Sequence, residues 1–249
     1  MKRAMLILLL AGITVVRSED SLSAEESAND GKIRIQVTAV HQSTLSGEIS
    51  ARIAELPFRE GEWFSSGDLL VGFDCALLQA QLRKSEATAE AARQTLLVNE
   101  KLDRLNAIGA LEVELTRAKV NETVAEVEAT KVLVSKCSIR APFSGRVARR
   151  YVDLYDYMTP GKPLMDILDT GTLEVRLLVP SRWLSWLKPK SRFSVMIEEL
   201  GKSYPAQVAL TGARIDPLSQ TVGITGEFIG RHPELLPGMS GWATFRMRR

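Results

Sequence analysis

A chain of 249 residues, 45% hydrophobic and 25% charged, has the composition of a folded protein with room for one large domain or two to three small ones, which excludes global disorder. Its 32 basic and 30 acidic residues leave a net charge of +2, too even a balance for a dedicated nucleic-acid surface, which needs a basic excess on one face. With two histidines far apart (His41 and His232), no Gly-rich phosphate loop, no G-x-S-x-G and no metal-spaced Cys/His cluster, hydrolysis, phosphoryl transfer and metal catalysis lack their parts, so the chain reads as no enzyme and as carrying no cofactor.

The chain opens with Lys2 and Arg3 ahead of an apolar run, Ala4–Val16, that is too short to span a bilayer comfortably. Residues 1–18 therefore read as an export signal, cleaved after Ser18 or kept as an anchor. Ile13 stands where Leu10-Ala11-Gly12 would need a lipid-bearing cysteine, which argues against a lipoprotein. Residues 19–31, rich in Ser, Glu and Asp, predict a disordered or extended leader. In residues 32–44, Ile33, Ile35 and Val37 alternate with Lys32, Arg34 and Gln36, the period of a half-buried strand that is expected to belong with the strands near the C-terminus.

From 45 to 74, short β-like runs are separated by Gly47, Pro57, Gly61 and Gly67. The segment Ala51–Asp74 matches Gly145–Leu168 at a constant offset. Arg52 falls on Arg146, Ala54 on Ala148, Gly67 on Gly161 and Leu70 on Leu164, while Ile53/Val147, Glu62/Asp156 and Trp63/Tyr157 pair by type. So short a unit cannot bury a core alone, so residues 45–74 and 138–170 predict two halves of one small domain. What lies between them must leave and return to one place.

Residues 75–137 predict that excursion as a helical hairpin. Asp74 can cap its first helix, and Leu78, Leu82, Ser85, Ala89, Ala92 and Leu96 recur at steps of four and three, a narrow coiled-coil seam. Asn106–Gly109 interrupts the pattern, and Gly109 is the only glycine between Gly72 and Gly145, which places the reversal there. On the returning arm Val113, Val120, Val127 and Val134 recur every seven residues, with Val124, Ala125 and Val132 beside them. Each arm would reach roughly 40 Å. The hairpin brings Cys75 and Cys137 to its base as a candidate disulfide. An exported chain is oxidised, but packed helix axes sit about 8–10 Å apart whereas a disulfide needs Cα atoms within about 7 Å, so a bridge and two separate small residues both stay open.

Residues 171–249 carry strand patterns at Leu173–Val179, Phe193–Ile197, Ala206–Leu210, Thr221–Phe228 and Gly241–Phe245, a short helix from Ser181 through Leu187, and an arginine tail. Their spacing suits a small antiparallel barrel. The expected fold is mainly β, a split domain plus a β-barrel, interrupted by one long α-helical coiled-coil hairpin.

The split repeat resembles the two half-motifs of biotinyl/lipoyl domains in periplasmic adaptor (membrane fusion, HlyD-like) proteins of tripartite efflux and secretion systems. The residues that carry the resemblance are Ala51–Gly61, Gly67-Asp-Leu-Leu70 and Asp74 in the first half, and Ile139-Arg-Ala-Pro-Phe-Ser-Gly145, Pro160-Gly-Lys-Pro-Leu164 and Ile167 in the second. Leu173-Glu-Val-Arg176, Val179-Pro180, Asp216-Pro217 and Leu236-Pro-Gly-Met239 are similar to the family's following barrel. Carrier domains of the lipoyl type present a lysine at the turn where this chain has Asp74-Cys75-Ala76, so a covalent carrier is set aside. At the hairpin tip, adaptors of resistance-nodulation-division pumps show Arg, then Leu, then Gly-Ala-Ile/Leu-Ser. Here stand Lys101, Leu105 and Gly109-Ala110-Leu111, with Glu112 in place of the serine. The resemblance implies that Leu105, Gly109, Ala110, Leu111 and Glu112 contact an outer-membrane channel, with the departure at Glu112 leaving a different channel open. It further implies an inner-membrane transporter as partner, a homo-oligomeric ring such as a hexamer, and a place in the periplasm at the inner membrane. The family's membrane-proximal domain would be absent or reduced to Lys32–Val40. A resistance-nodulation-division pump is the transporter expected, with an ABC-type exporter or a coiled-coil scaffold without transport as alternatives.

Overall fold

The computed structural model describes residues 32–245, so the expected signal, the leader and the Arg246, Arg248 and Arg249 tail fall outside it. Before the helices run β1 (Lys32–Ala39), β2 (Gln42–Ser46), β3 (Ala51–Glu55), β4 (Trp63–Phe64) and β5 (Leu69–Phe73). The helices are α1 (Ala76–Arg104) and α2 (Ala110–Ser135), followed by β6 (Ser138–Arg140), β7 (Gly145–Arg150), β8 (Tyr157–Met158) and β9 (Pro163–Leu168). The order ends with β10 (Leu173–Pro180), β11 (Arg192–Ile197), β12 (Lys202–Asp216), β13 (Thr221–Phe228) and β14 (Ser240–Phe245).

Two four-stranded sheets, ordered β6-β5-β3-β8 and β2-β9-β7-β4, hold the repeat. They are one arrangement built twice, with β3, β4 and β5 in the places of β7, β8 and β9, and β2 in the place of β6. Each half lends its shortest strand to the other's sheet: Trp63 pairs with Arg146 across β4 and β7, and Tyr157 with Arg52 across β8 and β3. Neither half can complete its sheet without its copy, which is the physical reason the unit is duplicated. The turns repeat as well. Gly67 and Gly161 take matching left-handed conformations (φ +88° and +85°), which glycine adopts without steric cost. The Glu62 carboxylate accepts the Arg59 N–H, and the Asp156 carboxylate accepts the Asp153 N–H, each at 2.8 Å. Ile53, Leu70, Val147, Leu164 and Ile167 are wholly buried in the core that the two sheets share.

β2 departs from the expectation that residues 32–44 belong with the barrel. β1 ends at Ala39, and from Gln42 the chain pairs with β9 instead. Leu45 packs on the core of the repeat, and the Thr44 hydroxyl donates to Asp166 at 2.6 Å, contacts that a barrel strand could not make.

β1 joins β10, β13, β12, β11 and β14 in a closed six-stranded barrel in that order, every pair antiparallel. Closure removes the exposed edges that would invite aggregation. Alternate residues point inward, so Ile35, Val37, Val175, Leu177, Val195 and Ile224 fill the interior. β12 is longer than its apolar run suggests: it continues past Leu210 to Asp216, with irregular pairing between Thr211 and Ile215. The segment expected as a short helix through Leu187 is a 3-10 turn over Ser181–Ser185. Its Trp183 is buried and meets the Phe245 ring edge-on at 5.4 Å.

α1 and α2 are long helices of 29 and 26 residues that pack antiparallel. The expected positions on α1 turn inward, and Ala89 is fully buried. On α2 the seam differs from expectation. Ala125 and Val132 face solvent, while Thr116, Thr123 and Thr130, one heptad apart and interleaved with the valines, are buried. Each threonine hydroxyl donates to the carbonyl four residues back, to Glu112, Lys119 and Glu126, so it is satisfied within its own helix and its methyl is left to pack. The Asn99 amide donates to Thr116 Oγ1 at 2.8 Å across the pair, a polar contact that fixes register.

Candidate functional site

The helical pair offers two places where sequence and geometry converge, its base and its tip. At the base, Cys75 and Cys137 are bonded to each other with Cα atoms 6.0 Å apart. The spacing of packed helices does not apply to them. Cys75 precedes α1 and Cys137 follows α2, where the chain has already narrowed to adjacent strands and the Phe73 N–H donates to the Cys137 carbonyl at 2.9 Å. The residue that caps α1 is Cys75 rather than Asp74, and it makes no side-chain bond to the first turn. Asp74 lies one position earlier, where its carboxylate accepts the Ala76 N–H at 3.4 Å and an Arg52 N–H at 3.1 Å. Lys136 holds the end of α2 to Glu48 at 2.5 Å.

The Arg52 hydrogen bond, followed by that from Ala76, holds the Asp74 carboxyl below its ordinary value of 3.8. A folded-state value below the unfolded one means that the contact stabilises fully above about pH 3.8 and that its contribution disappears as pH falls through the lowered value. Asp74→Asn is accordingly expected to lower thermal stability slightly across the neutral range and to converge on the unaltered protein as pH falls below that value, so that its acid limb is the shallower. Melting curves of both proteins across the acid range read this directly, and parallel acid limbs would exclude a role for Asp74.

At the tip, Leu105 caps α1 and the chain reverses within Asn106–Gly109 as expected, with Asn106 rather than the glycine as the left-handed residue. Asn106 is left-handed (φ +53°), with its N–H on the Asp103 carbonyl and the next N–H, of Ala107, on the Leu102 carbonyl. This is a Schellman closure with asparagine in the usual glycine place. Gly109 is extended (φ −84°, ψ 151°) and starts α2. The reversal brings Leu105, Gly109, Ala110, Leu111 and Glu112 together at one end of the pair, with Leu105 and Leu111 74% and 73% exposed. Leu97, Val98 and Leu115, about half exposed in the outer part of the helices, were not singled out by the sequence pattern. Their signal was present as apolar residues off the seam. The tip thus presents Leu105 and Leu111 as a small apolar surface beside the exposed carboxylate of Glu112.

Among the described residues, no three His, Cys, Asp or Glu side chains converge where a metal could sit, and no helix is long and apolar enough to cross a membrane. The two histidines pack against aromatic rings, His41 on Phe143 at 5.7 Å and His232 on Tyr204 at 4.9 Å.

No family model matches the chain. It is 29% identical over 215 residues to the nodulation protein NolF of Rhizobium meliloti, covering 80% of this chain and 59% of that protein. To the multidrug resistance protein MdtA it is 33% identical over 139 residues in Erwinia amylovora, covering 50% of this chain and 34% of that protein. The Salmonella typhimurium MdtA is 24% identical over 224 residues, covering 81% and 54%. The chain therefore spans about a third to three fifths of the length of these relatives. Among solved structures, the membrane fusion protein Spr0693 of Streptococcus pneumoniae superposes with a TM-score of 0.72 at 14% identity, covering 88% of this chain and 99% of that one. A MacA–MexA chimera carrying the Pseudomonas aeruginosa MexA α-hairpin domain gives 0.74 at 14% identity, covering 85% and 79%. At such identities the structural likeness is one of fold. In sequence and in fold the chain resembles the periplasmic adaptor, or membrane fusion, proteins.

Proposed function

We propose, from that premise, that this protein works as a periplasmic adaptor, coupling an inner-membrane transporter to an outer-membrane channel for efflux across the envelope. The observation that carries the reading is the pair of long helices between the two halves of the repeat, with an exposed apolar tip and a base fixed by the Cys75–Cys137 bond. In this reading the two sheets form a split lipoyl-like domain without its lysine, the helices form the coiled-coil hairpin, and the tip docks the channel. The barrel faces the transporter, and copies stand side by side in a ring at the inner membrane. The tip sequence Gly109-Ala110-Leu111 favours a resistance-nodulation-division pump over an ABC-type exporter.

The described cysteines are both in the disulfide, so Ala110→Cys gives the exposed tip a single reactive thiol in an otherwise unaltered protein. Treating cells that make this variant with a thiol crosslinker is expected to capture an outer-membrane channel, identifiable by mass spectrometry. Adding Leu111→Asp, which would bury an unpaired charge at the contact, should lower the yield about tenfold. Adducts confined to the protein itself or to soluble periplasmic proteins would favour a scaffold without transport.

A further inference from the structure

The outer face of the barrel carries a groove of about 1090 Å³ across β1, β10, β13 and β12. Its floor is Gly223, opposite Leu178 in register, where a side chain would meet nothing within 4 Å. Its walls include Leu178 and Leu210, 63% and 66% exposed. Lys32, Arg34 and Arg176 line it, and among the described residues no carboxylate does. Arg34 is shared with Glu198 at 2.7 Å, so Lys32 and Arg176 dominate the attraction the groove offers.

A segment of opposite charge begins at the groove's own end. Residues 19–30 contain Glu19, Asp20, Glu25, Glu26 and Asp30 and no lysine or arginine, with Leu22 as the one large apolar residue. They join the barrel at Lys32, itself a lining residue, through Asn29-Asp30-Gly31, a sequence with the chemistry of a tight turn. Twelve residues extend to about 40 Å, ample to return along the barrel.

We propose that residues 19–30 occupy this groove, Leu22 meeting Leu178 or Leu210 and the carboxylates facing Lys32 and Arg176. The inference does not depend on the adaptor reading. A photo-crosslinking benzoylphenylalanine in place of Leu22, in the full exported protein, tests it, with an equal mixture of isotope-labelled and unlabelled chains to separate adducts within a chain from those between chains. Adducts within the chain on β10 or β12 are expected. Lys32→Glu with Arg176→Glu should cut their yield about tenfold, and Glu25→Lys with Glu26→Lys in the same protein should restore it. Should the reversed-charge barrel fold poorly, about 0.5 M salt on the unaltered barrel should weaken the adduct in the same direction. Adducts between chains would assign the groove to a second copy, and adducts elsewhere, or a yield indifferent to charge and salt, would overturn the proposal.

Discussion

Replacing Cys75 and Cys137 together by alanine is expected to lower the free energy of unfolding by about 4 kcal/mol. The bond joins residues separated by 62 positions, and cutting a loop of that length returns a large conformational freedom to the unfolded chain. The loss should fall unevenly. The bond lies in the core of the repeat, which is separate from that of the barrel, so the helices and the two sheets should lose protection from amide exchange while the barrel strands keep theirs. Denaturant unfolding of the double variant, and of the unaltered protein in reductant, should agree. The double alanine is preferable to a single change because it leaves no unpaired thiol. A midpoint unmoved by both treatments would mean that strand pairing alone fixes the base of the helices, and that the bond adds nothing the fold does not already hold.

The bond also shows where sequence reasoning stops. The seven-residue recurrence of Val113, Val120 and Val127 is a strong periodic signal, and it marked α2 as a helix and the valine half of its seam. The same periodicity could not separate the buried Thr116, Thr123 and Thr130 from exposed neighbours, because a threonine reads as polar until its hydroxyl is seen to donate within its own helix. The repeat was legible from paired residues such as Gly67 and Gly161, but the exchange of β4 and β8 between sheets was not, since two-residue strands carry no alternation. The reversal falls within Asn106–Gly109, where the pattern breaks, but which residue turns left-handed was not legible: glycine is the commoner choice, whereas here Asn106 takes that conformation and Gly109 stays extended. At the tip, Leu105, Gly109, Ala110, Leu111 and Glu112 stand out in sequence only by resemblance. Leu97, Val98 and Leu115 are exposed as well, and their only mark in sequence is standing off a seam.

Two glycines divide the molecule in a way a stability measurement can read. A Cβ at Gly145 would stand 2.1 Å from the Leu168 carbonyl oxygen, and one at Gly241 would stand 1.9 Å from that of Met196. In both cases the obstacle is backbone of a neighbouring strand and cannot rotate away. Gly145→Ala and Gly241→Ala should each cost about 3 kcal/mol, the upper part of the range for overpacking, because strands must separate to admit one methyl. Neither position needs a left-handed backbone, so the cost is purely one of approach. Gly223→Ala is the control: it sits in a strand with open space around it and should be neutral or slightly stabilising. The location of the damage discriminates further. Gly145 pairs with Phe64 where the second half of the repeat receives its strand from the first, so its loss should loosen the sheets and the base of the helices. Gly241 pairs with Ile35 and Ile197 on either side in the barrel and should loosen that alone. Amide exchange on the two variants should therefore give complementary maps. If Gly145→Ala loosened the barrel as much as the sheets, the two cores would have to unfold as one unit, and the confinement expected for the disulfide variant would fail with it.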